Sequence, residues 1–306
     1  MSFIMKPVPG LDPKWGEPNR THDPYALANF RPRATDVLIT TAPKAGTTWM
    51  QQILHQLRSG GDPDFDSIYE VVPWIEFPEE GVTWQERLAA FERITDPRLF
   101  KTHCTHEQTP GVDLVKIVLT SRDPRDCCVS MYYHRMNMTD EACARIGIAH
   151  PESFDAFFEQ WMAYGAWFRN VAGWWPHRNN SNLLWLRYED MKHDLGAAID
   201  RLLGFLGWSL TDDRRERVLE YCSFGWMRRH ADKFTGRFAD GTPIFKPQLF
   251  IRKGQVGDHK TLLQPHHERA ILERASGELP ADCLVFLEIQ GVSVVPAASR
   301  KPGGSH

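Results

Sequence analysis

Residues 36–49 read DVLITTAPKAGTTW. Asp36 to Thr41 form an apolar, β-branched run with the length of a buried strand. Pro43 ends the run, and Lys44, Ala45, Gly46, Thr47 and Thr48 make a turn of mostly small residues. MQQILHQL then places Met50, Ile53, Leu54 and Leu57 on one face of a helix. Such a strand, turn and helix invite an anion, because the first helical N–H groups lack partners and the dipole is positive there. Gly46 admits close approach of the backbone, the two threonines bring hydroxyls, and Lys44 brings charge. The plainer alternative is an ordinary strand-to-helix turn with a solvated lysine. A Walker A loop, G-x-x-x-x-G-K-[ST], does not match: Lys44 precedes Gly46 by two positions and the first glycine is missing.

Working outward, RLFKTH at 98–103 is a short apolar run that ends in Lys101, Thr102 and His103. Polar residues at the end of such a strand suit a site, since α/β sheets bind ligands at their carboxyl ends. His103 is an acid/base candidate or a structural histidine. Between the two runs, residues 60–98 mix turn residues with Tyr69, Trp74 and Phe77, a loop that walls an apolar pocket or covers the core. The run from Val115 to Thr120 is a second strong strand. Asp123 and Pro124 after it are a helix cap and the favoured first helical residue. Arg122 at that strand's end suits a phosphate, because a guanidinium binds two oxygens at once, or it pairs with an aspartate. Ser130 falls two turns into the helix that follows.

Further along, NLLWLRYED is a strand candidate ending at Tyr188, Glu189 and Asp190. Helices are expected over 195–208 and from about Thr211 to Tyr221, and 153–176 reads as one packed, tryptophan-rich helix. Strands alternating with helices imply a single α/β domain with a central, mostly parallel sheet. The segment FIRKGQVGDHK at 250–260 is basic and glycine-rich, an anion loop or a surface turn.

Composition narrows the function. The 306 residues are 42% hydrophobic and 25% charged, enough for a sizeable core. A formal charge of −3 argues against a general nucleic-acid binder. Six cysteines without C-x-x-C pairs or zinc spacing read as reduced thiols, and no metal cluster is evident. The first 35 residues carry no apolar core of signal-peptide length and no run spans a bilayer, so a cytoplasmic protein is expected. The expected organisation is an N-terminal extension over 1–33, one domain over 34–295 and a loose tail over 296–306.

Several strings, in this order, resemble the cytosolic-type sulfotransferases, which use 3′-phosphoadenosine 5′-phosphosulfate (PAPS) and release adenosine 3′,5′-diphosphate (PAP). The likeness runs from about residue 34 to about residue 262. APKAGTTW resembles the family's loop for the 5′-phosphosulfate, VPWIEF a border of the acceptor pocket, and FKTH the segment of the catalytic histidine. SRDPRDCCVSMYYH resembles the 3′-phosphate motif, and YEDM and FIRKGQVGDHK resemble two further family blocks. The resemblance implies that Lys44, Ala45, Gly46, Thr47, Thr48 and Trp49 cradle the 5′ end, with Trp49 near the adenine. It implies that Arg122, Ser130, Arg252, Lys253 and Gly254 hold the 3′-phosphate, and that Phe250 and Ile251 belong to the donor site. Tyr188 and the strip with Cys222, Ser223, Phe224 and Met227 would line the adenosine. Trp74 and Phe77 would border the acceptor.

In that scheme His103 takes the acceptor's proton, Lys101 assists at the sulfuryl group, and Lys44 neutralises charge on the leaving diphosphate, with no metal. Ser130 would restrain Lys44. Two positions depart from the family: His259 stands where tryptophan is usual and Cys222 where threonine is usual. The acceptor is expected to be small and lipophilic or aromatic, with a hydroxyl or amine. Rival readings are a small-molecule kinase with an aberrant loop, or a nucleotide-binding protein without chemistry. Many relatives dimerise through a short segment after the RKG block. Here Gln264, Pro265 and Arg269 replace its Thr-Val pair and glutamate, so a monomer or a different dimer is expected.

Overall fold

Each apolar run leaves backbone N–H and C=O groups that only a neighbouring strand can satisfy. In the computed structural model, which describes residues 11–289, four runs form a parallel sheet in the order β2–β1–β3–β4. β1 is Val37–Ile39, β2 Leu99–Lys101, β3 Lys116–Ser121 and β4 Leu183–Arg187. Leu38 faces Phe100 on one side and Ile117 on the other. Burial is nearly complete along β1, β2 and β3, as a sheet covered on both faces requires.

The covering helices are α1 (Pro24–Asn29), α2 (Thr47–Ser59), α3 (Ile68–Val71), α4 (Trp84–Glu92), α5 (Pro124–Met136), α6 (Asp140–Ile146) and α7 (Phe154–Tyr164). After them come α8 (Ala166–Trp174), α9 (Tyr188–His193), α10 (Leu195–Leu206), α11 (Asp212–Tyr221), α12 (Phe224–Arg229), α13 (Pro265–Glu278) and α14 (Ala281–Phe286). Alternate strand residues feed two cores. Leu38, Phe100, Ile117 and Leu119 pack with Cys127, Phe157, Trp167 and Phe168 on one face. Val37, Ile39, Leu99 and Val118 pack with Ile53, Leu54, Ile199 and Leu202 on the other. Leu27 and Phe30 also enter the first core. The expected tail at 296–306 lies outside the described residues.

Several boundaries differ from the sequence reading. β1 is shorter than 36–41: the Thr40 N–H still donates to the Val118 carbonyl at 3.2 Å, but the Thr40 carbonyl accepts from Asn170 and the Thr41 carbonyl from His103 instead of from a neighbouring strand. The second strong strand is Lys116–Ser121 rather than 115–120. The tryptophan-rich stretch is two helices, broken where Gly165 adopts the left-handed conformation (φ 58°) that ends α7. β4 stops at Arg187, and Tyr188 to Asp190 open α9 instead of ending the strand. The helix expected over 195–208 ends at Leu206, with Gly207 left-handed at its cap. The six cysteines are buried and free. Among the described residues no helix is long and apolar enough to cross a membrane.

Candidate active site

β1 has β2 on one side and β3 on the other, so the chain leaves β1 in one direction and later returns in the other. Parallel sheets open a crevice at such a point, beyond the carboxyl ends of the strands. Here the turn after β1 carries Lys44, the end of β2 Lys101 and His103, the end of β3 Arg122, and the end of β4 Tyr188. These residues line one cavity of about 1920 Å³, larger than the usual roughly 300–1,000 Å³ of a single-ligand pocket.

The turn after β1 leaves donors open at a helix start. Gly46 has φ 101°, and a Cβ there would meet the Tyr188 ring at 3.0 Å. Among the described residues α2 opens on Gly46 with no side-chain cap, and the buried Thr47 hydroxyl has no partner. Unpaired donors at a helix start are what an anion satisfies. The Thr120 hydroxyl donates to the Ala45 carbonyl at 2.8 Å and holds the turn against β3. Lys44 is itself left-handed (φ 68°). Burial, together with Arg122 and Arg252, lowers its pKa to about 8. Among the described residues the Lys44 ammonium hydrogen-bonds to Nδ1 of His134 at 3.1 Å, and not to Ser130. Trp49 donates to the Cys222 carbonyl at 2.8 Å and lies edge-on to Tyr188 at 5.5 Å.

His103 is held from two sides. Its Nδ1 lies 2.5 Å from the Thr41 carbonyl; a carbonyl only accepts, so the proton is on Nδ1 and Nε2 keeps its lone pair. Its backbone N–H donates to Glu76 at 2.8 Å. Burial, then Lys101 and Lys44, lower its pKa to about 3, so the ring is neutral at physiological pH. Lys101, also buried, has its pKa lowered to about 7, chiefly by burial with a smaller contribution from Lys44, while Glu76 opposes. The Lys101 ammonium sits 4.0 Å over Trp74. Trp74 stacks on Phe77 at 4.8 Å and meets His103 edge-on at 4.9 Å. The 72–77 loop thus walls the cavity rather than only covering the core.

The third group gathers around Arg122. Its guanidinium donates to Asp126 at 3.2 Å and to the Gln255 carbonyl at 2.8 Å, and lies 4.6 Å over Tyr188. Asp126 also accepts from the backbone of Gly257 and His259, each at 2.9 Å, and from His259 Nδ1 at 2.8 Å. Burial opposes the Asp126 charge, but these donors and Arg122 bring its pKa down to about 2. The 250–260 segment is thereby tied to α5. Arg252 and Lys253 both pair with the buried Asp258, Lys253 at 2.9 Å. Gly254 (φ 58°) packs so closely that a Cβ would lie 2.7 Å from the Phe224 ring.

Of the candidate residues, Lys44, Gly46, Thr47, Thr48, Trp49, Trp74, Phe77, Lys101, His103, Arg122, Ser130 and Tyr188 line the cavity. So do Phe224, Met227, Phe250, Ile251, Arg252, Lys253 and Gly254. Ala45, Cys222 and Ser223 lie behind the wall. Cys222 offers its carbonyl to Trp49, and the Ser223 hydroxyl caps α12. Sequence reasoning missed Glu76, Asp126, His134 and Asp258; the four-residue spacings Arg122–Asp126 and Ser130–His134 were the available signal. It also missed one grouping of metal-ligand type, Asp155, His266 and His267, away from this cavity. There His267 Nδ1 accepts from the Gln264 backbone at 3.2 Å, so its Nε2 carries the proton and donates to Asp155 at 3.0 Å.

Comparison with known proteins agrees with this geometry. The family model described as "Sulfotransferase domain" matches residues 34–277. The chain is 34% identical over 248 residues to sulfotransferase 1A1 of Rattus norvegicus, covering 76% of this chain and 81% of the relative. With sulfotransferase 2A1 of Homo sapiens it shares 32% over 263 residues, covering 82% and 87%. Mouse sulfotransferase SULT7A1, solved in complex with PAP, superposes with a TM-score of 0.67 at 24% identity, over 87% of this chain and 91% of that one. Retinol dehydratase, solved with retinol and PAP, gives 0.59 at 23% identity, covering 87% of this chain and 86% of that one. A parallel sheet whose strand ends converge on one cavity, and a family match across most of the chain, lead to one conclusion: this protein belongs to the sulfotransferase family.

Proposed function

We propose that this chain moves a sulfuryl group from PAPS to a hydroxyl or amine of a small, lipophilic or aromatic acceptor. The observation that carries the reading is the convergence of a lone-pair-bearing His103 with Lys44 and Lys101 beside an uncapped helix start. PAPS bears a phosphosulfate at one end and a 3′-phosphate at the other. The orphan Thr47 hydroxyl, the free donors of α2 and Lys44 fit the first. Arg122, whose buried Nε has no partner among the described residues, fits the second together with Arg252 and Lys253. Asp258 would then give up its two cations to the phosphate. Trp49 and Tyr188 offer faces to the adenine.

His103 accepts the acceptor's proton at Nε2 as the new oxygen–sulfur bond forms. Its low pKa keeps it unprotonated, and negative charge brought into the site raises its basicity. Lys44 stabilises charge on the departing diphosphate, and Lys101 does so at the sulfuryl oxygens. Positioning and charge stabilisation supply most of such a transfer. Trp74 and Phe77 give the acceptor a flat apolar wall.

The finer assignments follow from the same reading. A catalytic domain over 34–295 is supported by the 34–277 family match. A cytoplasmic location is supported by six free cysteines. A monomer, or a dimer through another surface, is supported by α13: Pro265 is its first residue, and Glu268 is engaged with Arg125 at 3.6 Å. Binding calorimetry tests the donor. PAP should bind at least tenfold tighter than adenosine 5′-phosphate, because the 3′-phosphate adds charge-assisted contacts of roughly 1.5–3 kcal/mol each. Equal affinity, or preference for ATP with magnesium, overturns the reading.

A further inference from the structure

We propose that His134 is a positioning residue for Lys44: its Nδ1 takes one N–H of the ammonium and leaves the other two for the cavity. The inference rests on the sulfuryl-transfer reading above, since it gives Lys44 its task. The contact is 3.1 Å and joins the last turn of α5 to the turn after β1. An ammonium has three donors and no acceptor, so something must fix its direction. Among the described residues no carboxylate lies within ion-pair distance of Lys44. Arg122 and Arg252 surround it with like charge. A carboxylate here would cancel the charge that the transfer uses, and a cation would repel it. A neutral imidazole directs the ammonium and leaves its charge available.

The ring is held in place. Phe245 lies 4.6 Å and Phe250 5.9 Å from it, centre to centre. The Lys44 ammonium is 5.4 Å over Phe250. Burial, then Lys44, Lys101, Arg135 and His103, keep the imidazole unprotonated. With Nδ1 accepting, the single ring proton is on Nε2.

The test compares H134F, which fills the aromatic slot but accepts nothing, with H134N, whose Oδ1 reproduces an acceptor near the place of Nδ1. With PAPS and acceptor saturating, H134F should lower kcat about tenfold or more, the loss expected for one hydrogen bond to a charged group. H134N should recover most of it. In a K44M background H134F should cost nothing further, because residues that act through one another are non-additive. The second readout needs no turnover: titration of the Lys44 Cε resonance in ¹³C-lysine-labelled protein. A bond that favours the ammonium holds its pKa up, so H134F should lower the Lys44 pKa and H134N should not. Arg122, Arg252, Lys101, His103, Arg135 and the Cys127 thiol face the pair and are unchanged in every variant. Equal losses in the wild-type and K44M backgrounds, or a Lys44 titration unmoved by H134F, overturn the proposal. If the wild-type protein transfers no sulfuryl group, the broader reading falls, while the titration still decides the His134–Lys44 coupling.

Discussion

His103 carries the sharpest prediction at the scale of single residues. Its Nδ1 is committed to Thr41, so only Nε2 can take a proton. H103A should lower the transfer rate by roughly 10²–10⁴, the usual worth of a placed acid/base group, with PAP affinity nearly intact. Near-normal turnover at neutral pH in steady-state kinetics would make it a structural histidine. The lysines give a pH prediction. Lys101 and Lys44 lose their protons near pH 7 and 8 in the empty enzyme. A bound anion favours the ammonium forms and raises both pKa values. PAP binding should therefore take up protons in that range, and its affinity should fall as pH rises. Calorimetry in buffers of different ionisation enthalpy measures the uptake; proton release would contradict it. Lys44, His103 and Arg122 were legible in sequence because each follows a strand within a short, chemically marked string. His134 and Glu76 were not, because their partners are brought near only by folding: Lys44 for the one, the His103 backbone for the other.

Among the elements, α5 and the 250–260 loop are joined by one carboxylate. Asp126 is completely buried and serves Arg122, Gly257 and His259 together. His259, where the family usually has tryptophan, is thereby accounted for: it donates from both backbone and ring. D126N removes the charge from under Arg122 and should cost about 3 kcal/mol of stability, since breaking a buried pair leaves a charge uncompensated. It should also shrink the preference for PAP over adenosine 5′-phosphate. Urea unfolding checks the first and calorimetry the second; an unchanged preference would show that the loop holds its place without Asp126. The Asp126 carboxylate has a depressed pKa, so its stabilisation is present above the usual carboxylate range and is lost as pH falls towards about 2. Element types were readable from periodicity, but ends were less so. Gly165 sits within a continuous apolar pattern, and only its left-handed backbone, closed by Gly165 N–H to Trp161 C=O, separates α7 from α8. Thr40 and Thr41 look like strand residues because they are β-branched, yet Thr41 spends its carbonyl on His103.

On the scale of the whole molecule, the parallel order β2–β1–β3–β4 gathers four strand ends at one cavity, an outcome the alternation of strands and helices already implied. The acceptor wall was less legible, because residues 60–98 have no strong period and their placement depends on contacts such as the Trp74–Lys101 bridge. Light scattering over a concentration series should report a monomer, or a dimer that survives changes in the segment after the RKG block. Lys260 matches the lysine of the family's dimer segment and Glu268 could stand in for its glutamate in a shifted register, so a dimer that dissolves on E268A or K260A would contradict this expectation. At this cavity the protein is expected to transfer a sulfuryl group. The most direct measurement follows PAP and sulfated product together when wild-type protein and H103A are given PAPS and a panel of phenols, steroids, other alcohols and amines. Wild-type protein should release PAP and a sulfated acceptor in equal amounts, and H103A should release almost none. Unchanged PAPS across the panel, with a phosphorylated acceptor when ATP and magnesium are supplied instead, would contradict the account.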